Sequence, residues 1–255
     1  MQRERNSYAV QNVARTFDLL EYLAEESGGL TVTQLTERLN LSRNRVFRLL
    51  ATLEGRGLVD RDPVTGIYQS GLAAMALAQR LLQGAGILRH ARPILENLAQ
   101  KHREAVYMTV LKDDQVLFLD MVDSPEQVKT TPLVGRRLPF FTNAAGKIMK
   151  SLESREILDR LLQKRSLHND LPDPSRLADE LASIRHRGVA VDHDGLGEGI
   201  ISVAVAVRDY AGKVVGSLIL IGPSFRMLTN RLENEIIPSL TESGELLSMR
   251  FGYSR

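Results

Sequence analysis

The sequence predicts an α+β chain in two parts: three short helices closed by a β-hairpin, then a larger antiparallel sheet with flanking helices. Three observations carry this expectation. Apolar residues recur at helical spacing three times before residue 55, and two short β-runs around a Pro/Gly turn follow them. Beyond residue 104, two pairs of β-runs are each joined by a short polar turn, the pattern of antiparallel hairpins. Further helical stretches lie before, between and after those pairs, and an antiparallel sheet flanked by helices is an α+β domain.

The elements follow in order. Val13, Phe17, Leu20 and Ala24 recur at helical spacing with Asp18, Glu21 and Glu25 between them, so an amphipathic helix is expected from Val10, ending near Gly28-Gly29. A second short helix spans Thr33 to Leu39, with Val32, Leu35 and Leu39 inward. Asn40-Leu41 makes a tight turn, and Ser42 suits the N-cap of a third helix reaching Gly55. Val46, Leu49, Leu50 and Leu53 line one face of that helix at i, i+3, i+4 and i+7. The runs from Gly57 and from Ile67, around Asp62-Pro63-Val64-Thr65-Gly66, read as a hairpin. Three helices and a hairpin make a winged helix-turn-helix.

An Ala/Leu-rich helix from Gly71 to Ala85 reads as a connector, and another helix spans Ile87 to His102, with Pro93 kinking it or marking its true start. Hairpins are expected at Ala105–Leu111 with Val116–Val122, and at Ser202–Arg208 with Val214–Ile221. Between them, Leu138 to Thr142 leads into a helix from Ala144, and helices follow at Glu153–Gln163 and Ser175–Arg187. A last helix runs from Thr229 toward Gly252 with Pro238 inside it. The domains are therefore residues 1–70, a connector at 71–86, and 87–255, and no internal repeat is visible.

Composition excludes several classes. The 255 residues contain no cysteine, which removes disulfide scaffolds, thiolate metal sites, cysteine nucleophiles and thiol redox sensing. The first residues lack the apolar core of a signal peptide, and the longest apolar run, Ile200 to Val207, is short of the about 20 residues a bilayer needs. A cytoplasmic protein without membrane contact is expected. A net charge of +2 says nothing about nucleic acid by itself, so charge placement must carry that argument.

Placement points to the third helix. Arg43, Arg45 and Arg48 fall within two turns, Asn44 lies among them, and no acid occurs between Ser42 and Leu53. Because the inner face is apolar, these groups project outward. Arginine matches guanine bidentately, asparagine matches adenine, and the first turn of such a helix enters the major groove of double-stranded DNA. The expected contact set is Ser42, Arg43, Asn44, Arg45, Phe47 and Arg48, with Thr33 and Gln34 at the second helix and Arg61 and Tyr68 on the hairpin. A merely solvated helix face is the plain alternative. Residues 1–70 hold as many acids as bases, so affinity must come from a local patch.

Elsewhere the chemistry is thinner. Gly195-Leu196-Gly197-Glu198-Gly199 superficially resembles a phosphate loop, but a β-run follows it where a helix is required, so a flexible turn is expected. Asp192, His193, Asp194 and Glu198 are metal-capable side chains that read more simply as a polar loop, and no metal or cofactor is expected. A Ser202/His193/Asp triad would make a hydrolase with a winged helix as docking module, although nothing resembles G-x-S-x-G. Asn143-Ala144-Ala145-Gly146-Lys147 starts a helix with small residues, leaving backbone N–H groups and a positive dipole end unobstructed for an anion, or simply a capped and closely packed helix start.

Together these segments resemble the IclR family of bacterial regulators along nearly the whole chain. The match runs through Ser42-Arg43, Arg48-Leu49-Leu50-Ala51-Thr52-Leu53-Glu54 and Arg56-Gly57-Leu58-Val59. It continues in Gly135-Arg136-Arg137-Leu138-Pro139, Ala144-Ala145-Gly146-Lys147, and Arg187-Gly188-Val189-Ala190-Val191-Asp192 through Gly222-Pro223. The resemblance implies a GAF-like effector-binding domain, homodimers or dimers of dimers, a DNA operator, and a metabolite that controls transcription of a catabolic operon. It also implies an effector pocket at Ala144, Ala145, Asp192, Ser202, Ile219 and Ile221, to which the helix-start reading adds Asn143. Ser202 stands where cysteine is common, Ile219 and Ile221 stand where sensors of small acids carry serines, and Asn44-Arg45 replaces Ser-Thr. The two isoleucines suggest an organic acid with an apolar body.

Overall fold

The computed structural model describes residues 10–84, 86–112, 114–153 and 173–254. The expected helix over Glu153–Gln163 lies, beyond its first residue, outside them. Two compact units divide the chain at residues 85 and 86.

The first unit contains α1 (Gln11–Glu25), α2 (Val32–Leu39), α3 (Arg43–Gly55), β1 (Val59–Arg61), β2 (Tyr68–Ser70) and α4 (Leu72–Gly84). Its core joins Leu19 and Leu23 of α1 to Leu35 and Leu39 of α2, Val46, Leu50 and Leu53 of α3, and Val59 and Tyr68 of the wing. The buried face of α1 thus differs from expectation: Val13 and Phe17 are 52% and 62% exposed, while Leu19 and Leu23 point inward. The helix carries two apolar stripes, and the packing of α2 and β2 selects one. Thr31 and Gln34 form a capping box that starts α2, and Asn40, left-handed at φ 50°, ends it. Ser42 occupies the N-cap of α3, but its hydroxyl makes no capping bond; only its carbonyl accepts, from the Val46 N–H at 3.1 Å.

The second unit contains α5 (Gly86–His102), β3 (Ala105–Lys112), β4 (Gln115–Val122), β5 (Arg137–Pro139), a 3-10 turn (Phe140–Thr142) and α6 (Ala144–Ser151). It continues with α7 (Pro174–Arg187), β6 (Ala190–His193), β7 (Ile200–Arg208), β8 (Val214–Pro223), α8 (Thr229–Arg231) and α9 (Ile237–Arg250). The sheet is antiparallel throughout, in the order β5-β4-β3-β8-β7-β6. Side chains alternate across it. Val106, Met108, Val203, Val205, Leu218 and Leu220 face α5 and α9. Ala105, Tyr107, Ala190, Ala204, Ile219 and Ile221 face α6 and α7.

Two prolines are accommodated differently. Helix α5 continues through Pro93. Pro238 stands in the first turn of α9 behind a π-helical turn, Leu232–Ile236, where its missing N–H removes no bond from the helix interior. Strand β6 replaces the polar loop expected around Asp192. One buried ion cluster ties this unit together: Glu104, 1% exposed, accepts from Arg226 Nε and Nη2 at 2.7 Å each and from Arg231 Nη1 at 3.3 Å. No helix among the described residues is long and apolar enough to cross a membrane.

Candidate functional sites

In the first unit, α3 turns Val46, Leu50 and Leu53 inward. The opposite strip, Asn44, Phe47, Arg48 and Ala51, repeats at the same helical spacing and is exposed along its length. Phe47 leaves over half its surface in solvent. Arg45 leans toward α1, where its Nη2 donates to Asn12 Oδ1 at 3.2 Å. Asn12, Arg15, Thr16, Arg45, Arg48 and Thr52 line one groove between α1 and α3. This groove is basic although the unit as a whole is not, because Glu21 and Glu25 sit further along α1. Arg43 is exposed in the first turn of α3. A helix with planar cationic forks on its outer strip is shaped to read base edges.

The remaining expected contacts divide. Thr33 and Gln34 are exposed in the first turn of α2, and Gln34 Oε1 accepts from the Thr31 N–H at 2.8 Å, which leaves the Gln34 amide N–H groups outward. Ser42 is exposed with its hydroxyl unused by the cap. Arg61 is exposed on the wing, its guanidinium 5.7 Å from the Tyr68 ring centroid. Tyr68 itself is a correction: at 2% exposure its ring belongs to the core. Period two on β2 turns Tyr68 in and Gln69 out, and a backbone bridge to Leu30 holds the start of β2 in place.

In the second unit, the expected site residues come together at the start of α6, all of them buried. Asn143 caps the helix, its Oδ1 accepting from the Gly146 N–H at 2.9 Å. Ser202 Oγ, on β7, accepts from the Ala144 N–H at 3.2 Å. No side chain among the described residues accepts from the Ala145 N–H. Gly146 is required here, since a Cβ would lie 2.2 Å from the Phe140 carbonyl oxygen. The helix start is therefore pressed against the turn that feeds it.

Register explains the rest. Asp192, Ser202, Ile221 and Ala105 form one lateral row across β6, β7, β8 and β3; Ala190, Ala204, Ile219 and Tyr107 form the next. Both rows face α6. The polar end is closed by charge. Lys147 Nζ bonds Asp192 Oδ2, and donates to Glu180 Oε1 of α7 at 2.8 Å. Burial works against the Lys147 charge, but its hydrogen bonds to Asp192 and Glu180 outweigh burial and hold its pKa above the ordinary lysine value. The other Asp192 oxygen accepts from the Gly195 N–H at 3.1 Å. Gly195 also packs on Thr142, so the 195–199 segment expected to be a flexible turn is fastened to the α6 start.

The arrangement does not assemble a hydrolase. His193 pairs with Ile201 in the ladder, so it projects to the face opposite Ser202, which pairs with Asp192. Two residues that the sequence left unassigned belong to this face. Lys147 lies inside the small-residue motif and was visible there. Tyr107 is a tyrosine at an inward strand position among apolar neighbours, a polar handle on a buried ring.

Comparison with known proteins places both units. A model described as the IclR helix-turn-helix domain matches residues 12–63, and one described as Bacterial transcriptional regulator IclR C-terminal matches residues 79–249. The chain is 29% identical over 231 residues to the HTH-type transcriptional regulator BhcR of Paracoccus denitrificans, covering 89% of this chain and 82% of that protein. An IclR transcriptional regulator from Alicyclobacillus acidocaldarius has a similar structure, with a TM-score of 0.84 at 25% identity, covering 95% of this chain and 99% of that one. An IclR homologue from Microbacterium hydrocarbonoxydans, solved with 4-hydroxybenzoate, has a TM-score of 0.77 at 24% identity, covering 96% of this chain and all of the other.

Proposed function

This chain belongs to the IclR family of bacterial transcriptional regulators, and from that premise we propose that it is a cytoplasmic regulator of a catabolic operon that reads DNA with α3 and binds an organic acid with an apolar body at α6. Family membership makes it a DNA-binding regulator and displaces the hydrolase reading. The outward strip Asn44-Phe47-Arg48, flanked by Arg43 and Arg45, carries the reading of α3. In this scheme the exposed Thr33, Gln34, Ser42 and Arg61 hold phosphates, which position the helix without specifying sequence.

The pocket reading rests on one observation. Ile219 and Ile221 lie on the α6 face beside Ser202, where they offer hydrocarbon and no donors. Asn143, Ala144 and Ala145 present the helix start to an anion, with Asp192 holding Lys147 at the margin. A two- or three-carbon acid would leave the isoleucine surface unfilled, whereas an aromatic or medium-chain body buries it at roughly 25 cal/mol per Å². The same fold holds an aromatic acid in the Microbacterium homologue. Aromatic or medium-chain acids are expected to raise the melting temperature and shift operator affinity, and glyoxylate and pyruvate to do neither. The double variant Ile219→Ser, Ile221→Ser should lose its preference for the larger acids. Tight calorimetric binding of glyoxylate or pyruvate to the unmodified protein would overturn the reading.

Assembly follows the same logic. A single winged helix with balanced charge binds DNA weakly, so two are needed. Helix α4 leaves Leu72, Met75, Leu77 and Leu81 exposed at 78%, 58%, 52% and 68%, and the last two stand four residues apart on one side. The proposed homodimer, alone or paired again, reads an inverted repeat with half-sites about one helical turn apart or a multiple of it. Sedimentation at micromolar concentration should show a dimer or tetramer, and Leu77→Glu with Leu81→Glu should shift it toward monomer. A monomer that holds its operator tightly contradicts this.

A further inference from the structure

The groove between α1 and α3 measures about 280 Å³ and is lined by no carboxylate among the described residues. Its threonines are already occupied: the Thr16 and Thr52 hydroxyls donate to the Asn12 and Arg48 carbonyls at 2.7 and 2.9 Å. Arg15 is held by Asp18 at 3.2 Å. Arg48 is shared with the outward strip of α3. What remains is a pair that bridges the groove, both members exposed: Arg45 Nη2 donates to Asn12 Oδ1 at 3.2 Å. A guanidinium only donates, so the Asn12 amide presents its oxygen to Arg45 and turns its NH2 away. That NH2 and the other Arg45 N–H groups meet no acceptor among the described residues.

The neutral partner matters. Asn12 orients the Arg45 guanidinium without cancelling its charge, whereas the Asp18 carboxylate does both to Arg15. Val46 turns inward, and Arg45 stands about 100° round the helix from it, on the flank facing α1 and off the Asn44-Phe47-Arg48 strip. A helix about 10–12 Å across fills a major groove about 12 Å wide, so its flank lies against the phosphate backbone. We infer that Asn12 and Arg45 together seat one phosphate of the DNA backbone, the asparagine amide and the arginine fork donating to it from two helices. This rests on the reading of α3 as the DNA helix, and it adds α1 to the surface that fixes how α3 lies in the groove. A backbone contact of this kind contributes affinity and position but no sequence preference.

The test is fluorescence anisotropy of the full chain on an unrelated duplex and on DNA from upstream of its own gene, each across a salt series. Arg45→Ala should weaken both by a similar factor, about tenfold, and lower the salt slope by about one. Asn12→Ala should weaken both about three- to tenfold and leave the slope unchanged, because a neutral amide releases no counterion. Asn12→Asp should behave like Arg45→Ala, since its carboxylate ties up the guanidinium and repels the phosphate. An acid in the first turn favours a helix, so that loss is not a loss of fold. In the Arg45→Ala background, Asn12→Ala should add about twofold at most, because both groups hold one phosphate. If Asn12→Ala or Arg45→Ala leaves both affinities unchanged, there is no such seat. If Arg45→Ala loses only the upstream DNA and relaxes one base pair, Arg45 reads a base and the inference is wrong. Arg48→Ala tests α3 separately: if it changes neither affinity nor base preference, the reading of α3 fails and this inference falls with it.

Discussion

Replacing Arg48 with alanine should weaken operator binding ten- to a hundredfold and relax preference at one base pair. Arg48 stands in the middle of the outward strip of α3, four residues from Asn44 on the same side, and is paired with no acid among the described residues. Removing a side chain that reads a base costs about 1–3 kcal/mol, which is that range of affinity. Binding to unrelated DNA should fall far less, because it depends on phosphate neutralisation. Arg45 gives the contrast. Its guanidinium already leans on Asn12, so Arg45→Ala reports whether this group is aimed at bases or at the backbone. If Arg45 reads a base, the variant also relaxes one position. If it holds a phosphate, affinity falls across all sequences and the salt slope drops by about one. Unchanged affinity in Arg43, Asn44, Arg45 and Arg48 alanine variants alike would remove α3 from the groove.

The largest stability effect is expected at Glu104. Removing this carboxylate leaves Arg226 and Arg231 facing an empty site beneath β8. Arg231 would keep only the carbonyls of Arg226 and His102, and Arg226 only the Val128 carbonyl at 2.8 Å. Breaking a buried pair by deleting one partner costs about 3–5 kcal/mol, because the remaining charge stays desolvated. Glu104→Ala should therefore lower the melting temperature of the second unit by something on the order of 10 °C in scanning calorimetry. The comparison is Glu126→Gln. That pair with Arg103 stands in solvent, where such pairs contribute little to stability. Equal melting temperatures for the two variants would show that the cluster is not the fastening described.

The sequence shows some of this clearly, and the reasons differ by element. Helix α3 is legible because only one of its faces is apolar, so Val46, Leu50 and Leu53 determine where the arginines point. Helix α1 is not, since its sequence offers two stripes and the choice of Leu19 and Leu23 over Val13 and Phe17 is made by α2 and the wing. Tyr68 is hard to place for a related reason: a three-residue strand gives too few alternations to show which side is inward. Strand β6 hides because its polar residues, Asp192 and His193, run straight into a glycine-rich loop. Alternation puts Ile219 and Ile221 on a common side, but the helix covering that side depends on the whole strand order. The Lys147–Asp192–Glu180 contact joins α6, β6 and α7, so no local pattern could announce it.

The central claim is that one chain couples an acid at α6 to DNA at α3, and linkage provides the most direct measurement. Operator affinity can be read by fluorescence anisotropy at fixed salt, on DNA from upstream of the protein's own gene, with and without an aromatic acid. The acid's own affinity is then measured by calorimetry with and without that DNA. The expected result is a change of about tenfold in operator affinity, matched by an equal factor in the affinity for the acid, since coupling free energies are reciprocal. An acid that binds at α6 and leaves operator affinity unchanged would contradict the account.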